Sequence, residues 1–230
     1  MKTLGLIGGL SWFSTSVYYK TINQLVSQRL GPSHSARLVL YSVDFEDFRI
    51  LQERNDWDAV ERMMTDAALR LQAAGAECIV MATNTPHLVA DAIRTRIRIP
   101  LIHIAEETAG EIVRQKMKKV GLLGTRFTME HTFFKNRLKQ WGIESIVPGE
   151  PDRDFIHASI FDELTKGILR DETKKRYIDI IEKLRLGGAE GVVFGCTEIA
   201  LLVGLEESSI PVFDTTAIHS RAAVDFALTP

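Results

Sequence analysis

The sequence predicts an α/β protein made of two pseudo-symmetric halves, each built around a mostly parallel sheet. Three observations carry that expectation. Short runs of Val, Ile and Leu recur along the chain with helical stretches between them; the chain matches itself in three places at nearly equal offsets; and 230 residues at 45% hydrophobic and 25% charged have the composition of a globular protein large enough for one or two cores.

Eight apolar runs are expected as strands, at 4–7, 37–43, 78–82, 100–104, 120–123, 143–147, 191–194 and 211–213. Between the second and third, Val60, Met63, Met64, Ala67 and Leu71 fall three and four apart, with Glu61, Arg62, Asp66 and Arg70 on the other positions. That spacing is an amphipathic helix whose methionines fill the core, and Gly75 is its stop. The basic run from Arg94 to Arg98 reads as the solvated end of a further helix.

The self-match is ungapped over ten residues, where Gly75-Ala-Glu-Cys-Ile-Val-Met-Ala-Thr83-Asn84 lies on Gly188-Ala-Glu-Gly-Val-Val-Phe-Gly-Cys196-Thr197. Gly5-Leu-Ile-Gly8 matches Gly121-Leu-Leu-Gly124, and Ile99-Pro100 matches Ile210-Pro211, in the same order. These matches indicate an internal duplication. One half-domain is expected from 1–100 together with the C-terminal segment 211–230, and the other from 101–210. The halves are Rossmann-like or flavodoxin-like, with the active site expected in the cleft between them.

The net charge of −2, from 28 basic and 30 acidic residues, gives no concentrated basic face, so a nucleic-acid partner is not expected. No apolar segment is long enough for a membrane span, and the first residues do not pattern as a signal peptide, so a cytoplasmic protein without a membrane partner is expected. Cys78 and Cys196, the only cysteines, read as free thiols.

Ligands of open α/β sheets sit beyond the carboxyl ends of the strands. The duplication picks out matching strand ends: Gly8, Gly9 and Ser11 with Gly124, Thr125 and Thr128, and Thr83, Asn84 and Thr85 with Cys196, Thr197 and Glu198. With the halves related by an approximate dyad, Thr83 and Cys196 would flank one ligand. Cys196 leaves its strand at Gly195-Cys196-Thr197, where the helix start is expected to lower the thiol's pKa and make it reactive. Cys78, inside a strand, is expected in the core. The hydroxyls and amides of these ends, with Ser14 and Thr15, suit an anionic carboxylate, although each alone is equally a helix N-cap. Gly5-Leu-Ile-Gly8-Gly9 lacks the dinucleotide spacing, no Walker loop is present, and the six histidines show no metal-ligand spacing. No cofactor and no metal are therefore expected. His87, four residues after Thr83, is expected to pack or cap rather than to act on a substrate.

Four stretches resemble the aspartate/glutamate racemase family: Gly8-Gly-Leu-Ser-Trp-Phe-Ser-Thr15 with Tyr18-Tyr19, Ala82-Thr-Asn-Thr-Pro-His87, Gly124-Thr-Arg-Phe-Thr-Met129, and Gly195-Cys-Thr-Glu198. The Cys-Thr-Glu form is similar to the aspartate racemase branch, and most of all to its cofactor-independent members acting on L-aspartate and L-glutamate. Family members usually carry one cysteine in each half, and here Thr83 replaces the first. The resemblance implies that Cys196 removes the α-proton of the L-enantiomer while Thr83 faces the D-side, an asymmetric catalytic pair. It also implies that Asn84, Thr85, Thr125 and Thr197 hold the α-carboxylate and amino group, with Gly9, Ser11, Thr128 and Glu198 lining the same site. Lys166, and more weakly Gln52, would meet the side-chain carboxylate of a small amino acid.

Two other readings fit the same residues: a decarboxylase or isomerase of small dicarboxylic acids from the wider superfamily, and an amino-acid-binding protein that has lost catalysis. A homodimer is the expected assembly, with Trp12, Phe13, Tyr18 and Tyr19 offering aromatic surface for it.

Overall fold

The structure is a computed structural model and describes residues 1–229. In chain order the elements are β1 (Leu4–Gly8), α1 (Trp12–Leu30), β2 (Leu38–Ser42), α2 (Phe45–Glu53), α3 (Trp57–Ala73), β3 (Cys78–Met81), α4 (Ala90–Arg94), β4 (Leu101–Ile102), α5 (Ile104–Arg114) and β5 (Lys119–Leu123). Next come α6 (Arg126–Glu130), α7 (Thr132–Gln140), β6 (Glu144–Ile146), α8 (Glu150–Asp162), α9 (Asp171–Leu186), β7 (Gly191–Phe194), α10 (Ile199–Leu202), β8 (Val212–Asp214) and α11 (Thr215–Leu228). Each of the eight apolar runs contains a strand, although in 100–104 only Leu101–Ile102 is extended and Ile104 already begins α5.

The strands form two four-stranded sheets, ordered β2-β1-β3-β4 and β6-β5-β7-β8, and every pairing in both is parallel. The two sheets share one strand order. Leu4 pairs with Leu38 and Cys78, and Val120 pairs with Ser145 and Gly191. The described residues divide into one compact unit of 1–104 with 219–229 and a second of 105–218. β8 pairs with β7 in the second sheet, so 211–218 lies with the second unit, whereas residues 219–229 lie with the first. The reason is physical: β8 needs a neighbouring strand for its backbone groups, and only after it does the chain run on into α11.

Strand alternation explains the core of the first unit. Ile7, Ile79 and Met81 face Val60, Met64, Ala67 and Leu71 of α3, whereas Leu6, Cys78 and Val80 face Tyr18, Ile22 and Val26 of α1 and Ala223, Val224 and Ala227 of α11. Cys78 is thus fully buried inside a strand, and burial pushes its thiol up to about 12. Tyr18 is core as well, so only Trp12 and Tyr19 of the α1 aromatics are widely exposed. In the second unit Leu123, Val192 and Phe194 pack with Ile156 and Ile160 of α8 and with Tyr177, Ile180 and Leu184 of α9. Among the described residues no helix is long and apolar enough to cross a membrane.

Candidate active site

In the first unit, β1 ends at a glycine pair packed tightly against α1 and the loop after β2. A Cβ on Gly8 would stand 2.5 Å from Thr15 Cγ2. Gly9 has φ +83°, and a Cβ there would stand 2.0 Å from the Val43 carbonyl oxygen, so neither position accepts a side chain. Thr15 Oγ1 accepts from the Gly9 N–H at 2.9 Å and donates to the Ser11 carbonyl at 3.0 Å. Ser11 also has positive φ, 81°, and its hydroxyl accepts from the Ser14 N–H at 3.4 Å as the α1 cap. A non-glycine residue held there stores strain of the kind found in ligand loops.

Two residues beyond β3 in the same unit lies Thr83, half-buried, with its N–H on the Met81 carbonyl at 2.8 Å. Asn84 is buried, and Thr85 opens a 3-10 turn, Thr85–Val89, that carries His87. His87 Nδ1 lies 3.2 Å from the Asn84 carbonyl oxygen. Gln52 sits half-buried in the last turn of α2, with its carbonyl accepting from the Asn55 N–H.

In the second unit the matching ends lie against one another. A Cβ on Gly195 would meet Thr128 Cγ2 at 2.8 Å, and one on Gly124 would meet Thr128 Cβ at 3.0 Å and the Gly195 carbonyl at 3.2 Å. Thr128 is the wedge between β5 and β7, with its hydroxyl 3.5 Å from that of Thr125. Cys196 and Thr197 come directly after Gly195, and the Thr216 hydroxyl donates to that of Thr197 at 3.2 Å. Asp214 Oδ1 accepts from the backbone N–H groups of Thr216 and Ala217, and burial raises its carboxyl pKa against those bonds. Sequence reasoning missed Asp214 and Thr216. The signal is present, since Asp-Thr-Thr comes after the eighth apolar run just as the other selected residues come after theirs.

The decisive contact is between Cys196 and Glu198. The thiol donates to Glu198 Oε2 at 2.9 Å, and Glu198 is buried beside it. The expectation of a lowered thiol pKa is corrected here, because burial and then the Glu198 carboxylate push it well above its ordinary value. The N–H groups of Thr197 and Glu198 do pull the other way, but α10 is only four residues long and its dipole is correspondingly small. Tyr177, fully buried on α9 and bonded to Ser159 at 2.9 Å, lies close enough for both charges to raise its own pKa further beyond the effect of burial.

Lys166 closes a 3-10 turn, Leu164–Lys166, with its Nζ 3.9 Å from Asp162 Oδ1 and 59% of its side chain exposed. No hydrogen bond or ion pair links it to the strand ends among the described residues. Nor do those residues include a group of three His, Cys, Asp or Glu side chains able to hold a metal. The structure thus assembles two polar strand-end sets. One holds an alcohol, an amide and a histidine-braced turn; the other holds a thiol with a carboxylate positioned to exchange its proton.

A family model described as Asp/Glu/hydantoin racemase matches residues 7–223. The chain is 23% identical over 228 residues to the broad-specificity amino-acid racemase RacX of Bacillus subtilis strain 168, with 96% of each chain covered. Among solved structures, an Asp/Glu racemase candidate from Yersinia pestis is 50% identical with a TM-score of 0.95, and both chains are covered in full. An aspartate racemase homologue from Pyrococcus horikoshii is 34% identical with a TM-score of 0.90, again over the whole of both chains.

Proposed function

Because the chain belongs to the Asp/Glu/hydantoin racemase family and is therefore an isomerase, we propose that it interconverts L- and D-aspartate or glutamate without a cofactor, using Cys196 and Thr83 as an asymmetric pair. The observation that carries this reading is the 2.9 Å bond from the Cys196 thiol to Glu198. Proton abstraction from carbon needs a thiolate, and a buried carboxylate beside the sulfur is the local group able to take the thiol proton.

With an L-substrate the thiol proton passes to Glu198, and the Cys196 sulfur then takes the α-hydrogen as the Cα–H bond breaks. A proton from the Thr83 side adds to the opposite face, and Glu198 returns its proton through solvent to restore the starting state. With a D-substrate the order reverses, and Cys196, already protonated at rest, is the donor. Asn84, Thr85, Thr125 and Thr197 hold the α-carboxylate and ammonium, Gly9, Ser11 and Thr128 shape their setting, and Lys166 with Gln52 meets the side-chain carboxylate. Helix starts and backbone N–H groups supply the rest of the anion field.

Purified protein incubated in deuterium oxide with L- or D-aspartate and glutamate is expected to replace the α-hydrogen and invert the carbon, read by proton NMR and chiral chromatography. Cys196→Ala should abolish both. Release of carbon dioxide from small dicarboxylic acids would favour the decarboxylase reading, and tight binding without exchange the binding-protein reading. The assembly proposed is a homodimer through the exposed face of Trp12, Tyr19 and Leu40, beside the free edge of β2. Trp12→Glu should yield monomers in analytical ultracentrifugation.

A further inference from the structure

Three buried histidines gather in the first unit behind the turn that carries Thr83 and Asn84. His87, His103 and His219 are each no more than 3% exposed. The ring centroids lie 4.8 Å apart for His87 and His103 and 5.4 Å apart for His87 and His219, tilted and edge-to-face respectively. They come from three places: the turn after β3, the end of β4, and α11. Tyr18 of α1 closes the group, its hydroxyl 2.9 Å from His219 Nδ1.

Hydrogen bonding fixes the tautomers of two of them. His219 Nε2 lies 2.9 Å from the Ile102 carbonyl, which can only accept, so Nε2 carries the proton and Nδ1 accepts from Tyr18. His87 has the opposite form. Its Nδ1 faces the Asn84 carbonyl and must carry the proton, while its Nε2 is buried with no hydrogen-bond partner among the described residues. Leaving that nitrogen unpartnered has a cost that a leucine of similar bulk would avoid. A leucine there would keep the backbone N–H of residue 87 on the Asn84 carbonyl, at 3.1 Å, and would lack the second donor, the Nδ1–H, that grips the turn.

We infer that His87 is a positioning residue for the reaction on the Thr83 face: its Nδ1–H holds the Asn84 carbonyl and so fixes the turn that presents Thr83 and Asn84 to the substrate. Burial among His103 and His219 keeps the ring neutral, and the Thr83 and Asn84 backbone favours the proton it holds. A hydroxyl is a poor acid and a poor base, so its contribution depends on placement more than a thiol's does. The Cys196 turn is held differently, with the Cys196 carbonyl accepting from the Ile199 N–H at 3.3 Å and the Thr197 hydroxyl accepting from that of Thr216 at 3.2 Å.

The inference rests on the racemase reading, and the test separates the two. Same-face exchange of the α-hydrogen in deuterium oxide reports the Cys196 face for L-substrates and the Thr83 face for D-substrates. His87→Leu should slow exchange from D-glutamate or D-aspartate by about 10- to 100-fold, the usual consequence of a small misplacement, while exchange from the L-enantiomers, which share only the Asn84 contact, falls by several-fold less. His87→Asn, which retains an amide donor near the Nδ1 position, should recover most of the loss. An equal fall for both enantiomers, or no fall for D, overturns the inference. Nitrogen-15 spectra of histidine-labelled wild-type protein give a readout independent of turnover and of the leucine variant's folding. A protonated Nδ1 and bare Nε2 on His87 support the inference, and the reverse tautomer overturns it. Wild-type protein that exchanges neither enantiomer would instead overturn the racemase reading, leaving His87 to be judged by its tautomer.

Discussion

The Cys196 thiol donates a hydrogen bond to the Glu198 carboxylate two residues later, at 2.9 Å, and this bond sets the resting charge of the site. Burial contributes most to the raised thiol pKa and Glu198 contributes next. Glu198→Gln should therefore have two opposed effects. Without the neighbouring negative charge the thiol pKa falls, so alkylation by iodoacetamide at pH 8 should quicken, by about tenfold for each unit lost. Without a proton acceptor, exchange of the L-substrate's α-hydrogen should fall by about 100- to 10,000-fold. Slower alkylation in the variant would show that the carboxylate does not hold the thiol protonated.

Thr83→Cys should raise same-face exchange from D-substrates toward the L-side rate, since a thiol is a far better acid and base than an alcohol. Equal free energies of the enantiomers oblige net racemisation to keep equal kcat/KM in both directions, so the gain appears in kcat and KM separately. Steady-state kinetics in each direction check this, and unchanged D-side exchange would remove Thr83 from the reaction.

Lys166→Met tests the pocket for the substrate's second carboxylate. Its contact with Asp162 at 3.9 Å is an exposed pair, worth about 0 to 1 kcal/mol, so the urea midpoint should scarcely move. KM for aspartate and glutamate should rise about tenfold while kcat changes little. A KM that does not move would make Lys166 an ordinary surface lysine.

The buried histidines predict acid lability. Burial is the first cause that holds His219 down at about 4, with His103 adding to it and the Ile102 carbonyl opposing, and burial likewise lowers His87. Below about pH 6.5 the unfolded chain binds protons that the folded chain refuses. Stability is therefore complete above that pH and declines as pH falls from about 6.5 toward 4, by roughly 3 kcal/mol for His219 alone. Urea midpoints at pH 7, 6 and 5 measure the slope. His219→Gln, which keeps an amide donor for the Ile102 carbonyl, should flatten it, and an unaltered slope would assign the lability elsewhere.

Much of this architecture is legible in the residues themselves. β1, β3 and β7 are buried throughout and appear as Val, Ile and Leu runs for that reason, the partly exposed β2 and β6 are legible from apolar runs that polar residues interrupt, and α3 is legible from its three-and-four spacing. The duplication leads to both strand-end sets, because parallel sheets bring equivalent residues to one end. Side-chain direction is not legible. Cys196 reads as a thiol beneath a helix start, but Glu198 folds back on it and reverses the sign of its pKa shift. Tyr18 lies in an aromatic cluster of sequence yet turns inward to His219. The histidine group joins residues 18, 87, 103 and 219, a convergence that no local pattern encodes.

The first unit is finished by residues from the far end of the chain. Residues 219–229 join 1–104, the Lys2 N–H donates to the Ala227 carbonyl at 2.8 Å, and Val224 and Ala227 pack with Leu4 and Leu6. During synthesis on the ribosome, the continuous stretch 105–218 can acquire its whole core while the earlier-made portion still waits for α11. The later half of the chain is thus the half able to mature first, and nascent chains halted before residue 219 should leave the opening segment open to chaperones.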